Sequence, residues 1–114
     1  MDVKIAIASS DGKTITEHFG RARQFRIYRL HDNGHEYLET RENEPVCVGQ
    51  AHDDGQLFRL AEMLSDCRGA IAAQIGSGAI DALLYYRVMA FALPGTIDGA
   101  VEALLKTKRF NFLK

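Results

Sequence analysis

The 114-residue sequence has no tryptophan, only two cysteines and two prolines, and no excess charge: 14 Lys and Arg against 15 Asp and Glu give a formal net charge of -1. Each shortage closes a class of answer. Near-neutrality removes any global pull toward nucleic acid or an anionic bilayer, so electrostatic arguments have to be local. Two cysteines cannot supply the paired thiolates of a zinc finger or a ferredoxin. No apolar run approaches the ~20 residues of a membrane-spanning helix, and no leader pattern precedes the first apolar run, so the expected compartment is the cytoplasm and no membrane partner is expected. There Cys47 and Cys67 read as reduced thiols.

What is present is a core. With 46% hydrophobic residues and no repeat or proline-rich linker, residues 1–114 read as one domain. Residues 3–8 and 24–30 read as strands, Asp32-Asn33-Gly34 as a turn, and residues 35–43 as a more polar edge strand. After Pro45 the period becomes helical. Leu57, Leu60, Ala61 and Leu64 share a face, with Asp53 and Gln56 spaced as a capping box. Residues 70–75 and 88–93 are nearly continuous apolar runs, the pattern of strands buried on both faces. Ile80, Leu83 and Leu84 mark a second helix, and Thr96 can cap a third carrying Ile97, Val101, Leu104 and Leu105.

The order is therefore β-β-β-α-β-α-β-α. Right-handed crossovers place the strands in spatial order 3-2-1-4-5, with the second antiparallel to the rest. Ligands of open α/β sheets bind outside the carboxyl ends of the strands where the connections diverge, here between strands one and four. Three loops share that rim: residues 9–24, 44–53 and 74–78. They carry His18, Cys47, His52 and the Gly76-Ser77-Gly78 turn, whereas Cys67 falls at the opposite rim and is not expected to ligate.

His18 is the leading ligand candidate, because a neutral imidazole binds transition metals through one nitrogen while the other is oriented by a hydrogen bond. The alternative is a loop histidine with a local hydrogen bond. Phe19 can anchor the loop, and Gly20 can supply positive φ or close backbone approach. Arg21 and Arg23 either attract an anionic guest or form a solvated surface, and the surface reading is preferred for Arg26 and Arg29. Cys47 and His52 are each capable of ligating iron. Cys47 reads equally well as a buried spectator thiol. Amides of Gly76, Ser77 and Gly78 can meet an anion, although tight strand-to-helix packing explains the same glycines.

The segments Ile5-Ala6-Ile7-Ala8-Ser9-Ser10, His18-Phe19-Gly20, Phe25-Arg26-Ile27-Tyr28, Asp66-Cys67-Arg68-Gly69-Ala70 and Ile75-Gly76 together resemble the dinitrogenase iron-molybdenum cofactor biosynthesis family. That family includes small nitrogenase accessory carriers and the carboxyl-terminal domain of the cofactor-assembly radical enzyme. The resemblance implies a ribonuclease H-like three-layer α/β fold with a five-stranded mixed sheet. It implies a non-catalytic carrier that binds an iron-sulfur cluster, the iron-molybdenum cofactor or its precursor, transiently, and passes it from assembly to acceptor proteins. His18 takes the place of the family's cluster-binding histidine. Cys47, Gly49 and the Asp53-Asp54 pair look more like the assembly-enzyme domain than the dedicated carriers. The radical domain and its three-cysteine motif are missing, so that chemistry does not transfer.

Other functions remain to be weighed. A two-metal nuclease needs convergent carboxylates, and the strand at residues 3–8 has none. A metal-dependent hydrolase built on His18 and His52 lacks an identifiable nucleophile or poised acid-base pair. A regulatory, protein-binding domain without a cluster is the third reading.

Overall fold

The computed structural model describes residues 3–31, 34–43 and 54–107, with Asp54 and Thr107 described by backbone alone. In chain order the elements are β1 (Val3–Ala8), β2 (Thr14–Ile15), a 3-10 turn (Phe19–Arg21), β3 (Gln24–His31), β4 (Gly34–Glu42), α1 (Asp54–Met63), β5 (Gly69–Ala72), α2 (Ser77–Tyr85), β6 (Met89–Ala92), β7 (Gly95–Thr96) and α3 (Ile97–Thr107). Five strands form one sheet in the order β4-β3-β1-β5-β6, and β2 pairs with β7 in a separate ribbon. β3 is antiparallel to β1 and β4, while β5 is parallel to β1 and β6. Counting only the five strands of the large sheet, the spatial order is 3-2-1-4-5 with the second strand reversed.

Side-chain size explains the layering. On one face Ala6, Ala8, Ala70 and Ala72 meet Leu60, Leu64 and Leu83 from α1 and α2. On the other, Ile5, Ile7 and Ile71 meet Val101 and Leu104 from α3. Alanines let two helices approach the sheet closely, and isoleucines fill the space above a face covered by one.

The elements foreseen from periodicity are present, with instructive differences. Residues 9–24, expected to be loop, contain β2 and the 3-10 turn, because β2 finds a partner in β7 far along the chain. In α2 the buried face is Ala79, Ala82 and Leu83, whereas Ile80 and Leu84 are 36% and 51% exposed. Of the three large residues expected on the stripe only Leu83 is buried, and the small Ala79 and Ala82 complete the face against the alanine-lined sheet. At α3 the expected cap forms, with the Gly99 N–H donating to Thr96 Oγ1 at 3.0 Å. The Asp53–Gln56 capping box rests on Asp53, which lies outside the described residues.

Leu83→Ala should therefore lower stability by about 2–5 kcal/mol, the range for a buried leucine, and Leu84→Ala by no more than about 0.5 kcal/mol. Urea titrations of the two variants beside the parent check the contrast.

Candidate functional site

The loop leaving β1 is built by its own polar side chains. The Asp11 carboxylate accepts hydrogen bonds from the Lys13 and Thr14 N–H groups, both at 2.8 Å, and from the Thr14 hydroxyl at 2.8 Å. These donors hold its pKa well below the usual carboxylate range. Ser9 Oγ receives the Gly12 N–H and donates to the Thr14 carbonyl. Gly12 has φ of 76°, where glycine is favoured.

The chain then runs alongside the outgoing end of β5. The Ala73 N–H donates to the Glu17 carbonyl and the Phe19 N–H to the Gln74 carbonyl, each at 2.9 Å, and His18 forms a parallel bridge with Gln74. Phe19 is fully buried, its ring edge-on to Phe25 at 5.3 Å. The Arg21 N–H closes the 3-10 turn on the His18 carbonyl at 3.0 Å. His18 is exposed at the rim, as are Arg21 and Arg23. Among the described glycines positive φ occurs at Gly12, Gly34 and Gly95 and not at Gly20. Of the two roles open to Gly20, positive φ or close backbone approach, the first is therefore corrected: the 3-10 turn needs no left-handed residue there.

The Gln74 bridge brings His18 beside the connection into α2, where Gly76 is the N-cap and makes no side-chain capping bond. Gly76, Ser77 and Gly78 are all exposed. A Cβ on Gly76 would meet nothing within 4 Å, whereas one on Gly78 would lie 3.4 Å from Leu57 of α1. Gly78 thus faces α1 at contact distance, whereas Gly76 borders open space. Cys47 and His52, also assigned to this rim, lie outside the described residues. Among the described residues no three His, Cys, Asp or Glu side chains cluster as a metal site, so His18 offers a single imidazole.

Two features escaped the sequence. A concavity of about 440 Å³ lies between the start of β4 and α3, walled by His35, Asp98, Val101, Glu102 and Leu105, and contains none of the rim residues. Arg26, read as solvated surface, has a buried Nε without a hydrogen-bond partner. The sequence signal was its alternation with the buried Phe25 and Ile27, which puts it on the opposite face of β3. Arg29 does behave as a surface residue, its Nε donating to Glu36 at 3.0 Å.

The family model for the dinitrogenase iron-molybdenum cofactor family matches residues 1–107. The chain belongs to this family. It is 31% identical over 105 residues to the FeMo cofactor biosynthesis protein NifB of Frankia alni, covering 90% of this chain and 21% of that one. It is 29% identical over 85 residues to the protein NifX of Azotobacter vinelandii, covering 72% and 51%. The chain thus spans about a fifth of the first relative and about half of the second. The crystal structure of PH0822 shares the fold, with a TM-score of 0.70 at 19% identity over 91% of this chain and 89% of that one. Among the described residues no helix is long and apolar enough to cross a membrane.

In this family member the far end of β1 is chemically closed. Cys67 is 1% exposed, and burial, with Asp66 next to it, pushes its thiol up to about 12. The Arg68 N–H bonds the Lys4 carbonyl at 2.8 Å, which fixes Cys67 at the opposite rim from His18. The Asp66 carboxylate receives two Arg41 hydrogen bonds, at 2.7 and 2.8 Å, and one from Lys4 at 3.0 Å. Arg41 also donates to the Met63 carbonyl at 2.8 Å, pinning the edge strand β4 to the end of α1.

Arg41 holds the Asp66 carboxyl below its usual range, so the stability it confers is present above the ordinary carboxylate pKa of about 3.9 and is lost as pH falls through the lower native value. Asp66→Asn should cost about 1 kcal/mol at pH 7, a modest figure for a partly exposed pair. The gap from the parent should narrow as pH falls below about 3.9 and close only beneath the lowered native pKa of Asp66, as read from urea midpoints. Cys67 should resist alkylation in the native protein and react once the chain is unfolded, as followed by peptide mass mapping.

Proposed function

We propose that the chain is a non-catalytic carrier that holds an anionic iron-sulfur cofactor, of the iron-molybdenum type or its precursor, at the rim beside His18 and hands it from an assembly protein to an acceptor. The observation that carries this reading is the contrast between His18 and Phe19. The backbone is clamped to Gln74 and Phe19 is buried, while the adjacent imidazole stays exposed. A histidine held in this way is preorganised without being enclosed, which suits a ligand that must exchange. Relatives named for cofactor biosynthesis support the same class of cargo, and the sheet order supports the ribonuclease H-like reading of the fold.

The cargo's inorganic core supplies the vacant coordination site. The chain supplies an imidazole, the exposed Arg21 and Arg23 as counter-charge, and uncapped amides at the start of α2 directed at an anionic periphery. Cys47 is the second ligand on sequence grounds, with His52 a further candidate. One or two protein ligands hold a cluster reversibly, whereas a full set would retain it.

Anaerobic incubation with a synthetic iron-sulfur cluster, followed by gel filtration and visible absorption, tests the proposal. The parent should elute with bound cluster, and His18→Ala should weaken retention about tenfold or more, the scale of losing a metal contact. Unchanged retention in His18→Ala combined with Cys47→Ala would defeat the ligand assignment. Cluster that never co-elutes with the parent would favour a protein-binding regulator, and turnover of a phosphoester or amide panel would favour a hydrolase.

A further inference from the structure

Arg26 lies two residues in from the end of β3 nearest the carboxyl end of β1, opposite Ile7 in the register. It is half-buried, and its Nε is covered without a hydrogen-bond partner. The guanidinium is fitted to its surroundings. Its Cζ stands 5.9 Å from the centre of the Tyr37 ring, and a Cβ added to Gly12 would come within 2.9 Å of it. Among the described residues it has no carboxylate partner.

Arg41, opposite Phe25 on the neighbouring strand β4, shows how this chain compensates a desolvated guanidinium: Asp66 and Glu39 both accept from it. Arg26 receives no such compensation. Asp11, in the turn that contains Gly12, already accepts from Lys13 and Thr14. Asp98, near Tyr28, is turned to His35 Nε2 at 3.4 Å.

A second donor lies two residues along on the same face of β3, where Arg26 and Tyr28 both meet the Tyr37 ring. Tyr28 is 7% exposed, packs against Tyr37 at 5.7 Å, and its hydroxyl makes no hydrogen bond among the described residues. Burial raises its pKa against the opposing charge of Arg26, so the phenol keeps its proton and can donate it. A cation and a neutral donor on one face of a strand, with no acceptor supplied among the described residues, are half of an anion site.

We propose that Arg26 and Tyr28, with Gly12 and Tyr37 holding the guanidinium in place, form a binding site for the oxyanion of a small carboxylate or phosphate compound. The site lies on the face of β3 opposite Phe25, whereas His18 adjoins Phe19 and Phe25 at the rim. It does not rest on the carrier reading.

Proton–nitrogen correlation spectra of the full chain test it directly, because the Arg26 Nε–H is itself the reporter. Sodium phosphate, sodium succinate and sodium chloride are titrated separately at matched ionic strength. Phosphate or succinate should move the Arg26 Nε–H resonance saturably at millimolar concentration and chloride should not. Whichever saturates at the lower concentration identifies the ligand as phosphate-bearing or carboxylate-bearing. Arg26→Lys should weaken the response at the Gly12 amide about tenfold, since an ammonium lacks the planar fork. Arg23→Lys and His18→Ala should leave it unchanged, which separates this site from the proposed cluster ligand. No saturable movement with either oxyanion, or equal movement with chloride, would overturn the proposal, and this parent-protein result stands even if Arg26→Lys fails to fold.

Discussion

Everything in this fold is arranged around β1, a strand that has to be bonded along both edges while covered on both faces. Ile5, Ala6, Ile7 and Ala8 are all at zero exposure. Their backbone groups have no water to turn to, so they are paired with β3 on one side and β5 on the other. One neighbour is antiparallel and one parallel. The antiparallel partner can follow by way of a loop, whereas the parallel partner must arrive through a crossover. The chain that leaves β1 and the chain that leaves β5 therefore part at the same end of the sheet. A crevice there follows from topology before any functional residue is considered.

The loop after β1 begins beside two strands whose ladders have just ended, so leftover carbonyls and amides would lie next to the core. The chain resolves this locally, with Glu17 and Phe19 pairing to Ala73 and Gln74. Side chains of extended backbone alternate in direction. Once Phe19 turns inward against Phe25, His18 has to turn out. The exposure of the imidazole is thus a consequence of how the backbone and the phenylalanine are satisfied, and needs no separate device.

That logic marks what the sequence could reveal. The strand at residues 24–30 was legible because burial on a pleated sheet imposes a period of two, the strand at 3–8 because isoleucine and alanine alternate between its two covered faces, and the Thr96 cap because its signal is local. The α2 stripe was not legible, since the face that goes inward depends on alanines contributed by β1 and β5, distant in sequence. The β2–β7 ribbon escaped for a similar reason: two residues at each strand carry no period, and the pairing joins Thr14 to Thr96. At the candidate site, His18 and Phe19 were found because strand, turn and loop follow one another in the chain. Arg26 was passed over because an arginine looks the same in sequence whether its Nε is solvated or covered by a turn fourteen positions earlier.

The two ends of β1 also differ in how charge is spent. At the amino end Asp66 is neutralised by Lys4 and by Arg41, which reaches it from β4 and is also paired with Glu39, beside a thiol driven toward the protonated state, an arrangement that binds β4, α1 and β1 together and leaves Cys67 inert. At the carboxyl end Lys13, Arg21, Arg23 and Arg26 have no carboxylate partner among the described residues, and the one carboxylate in the turn, Asp11, is consumed by its own loop. Pairing those cations would add little stability where they are exposed. Leaving them unpaired keeps a local positive potential in a chain whose total charge is close to zero, so an anionic guest is drawn to this end and not to the surface at large.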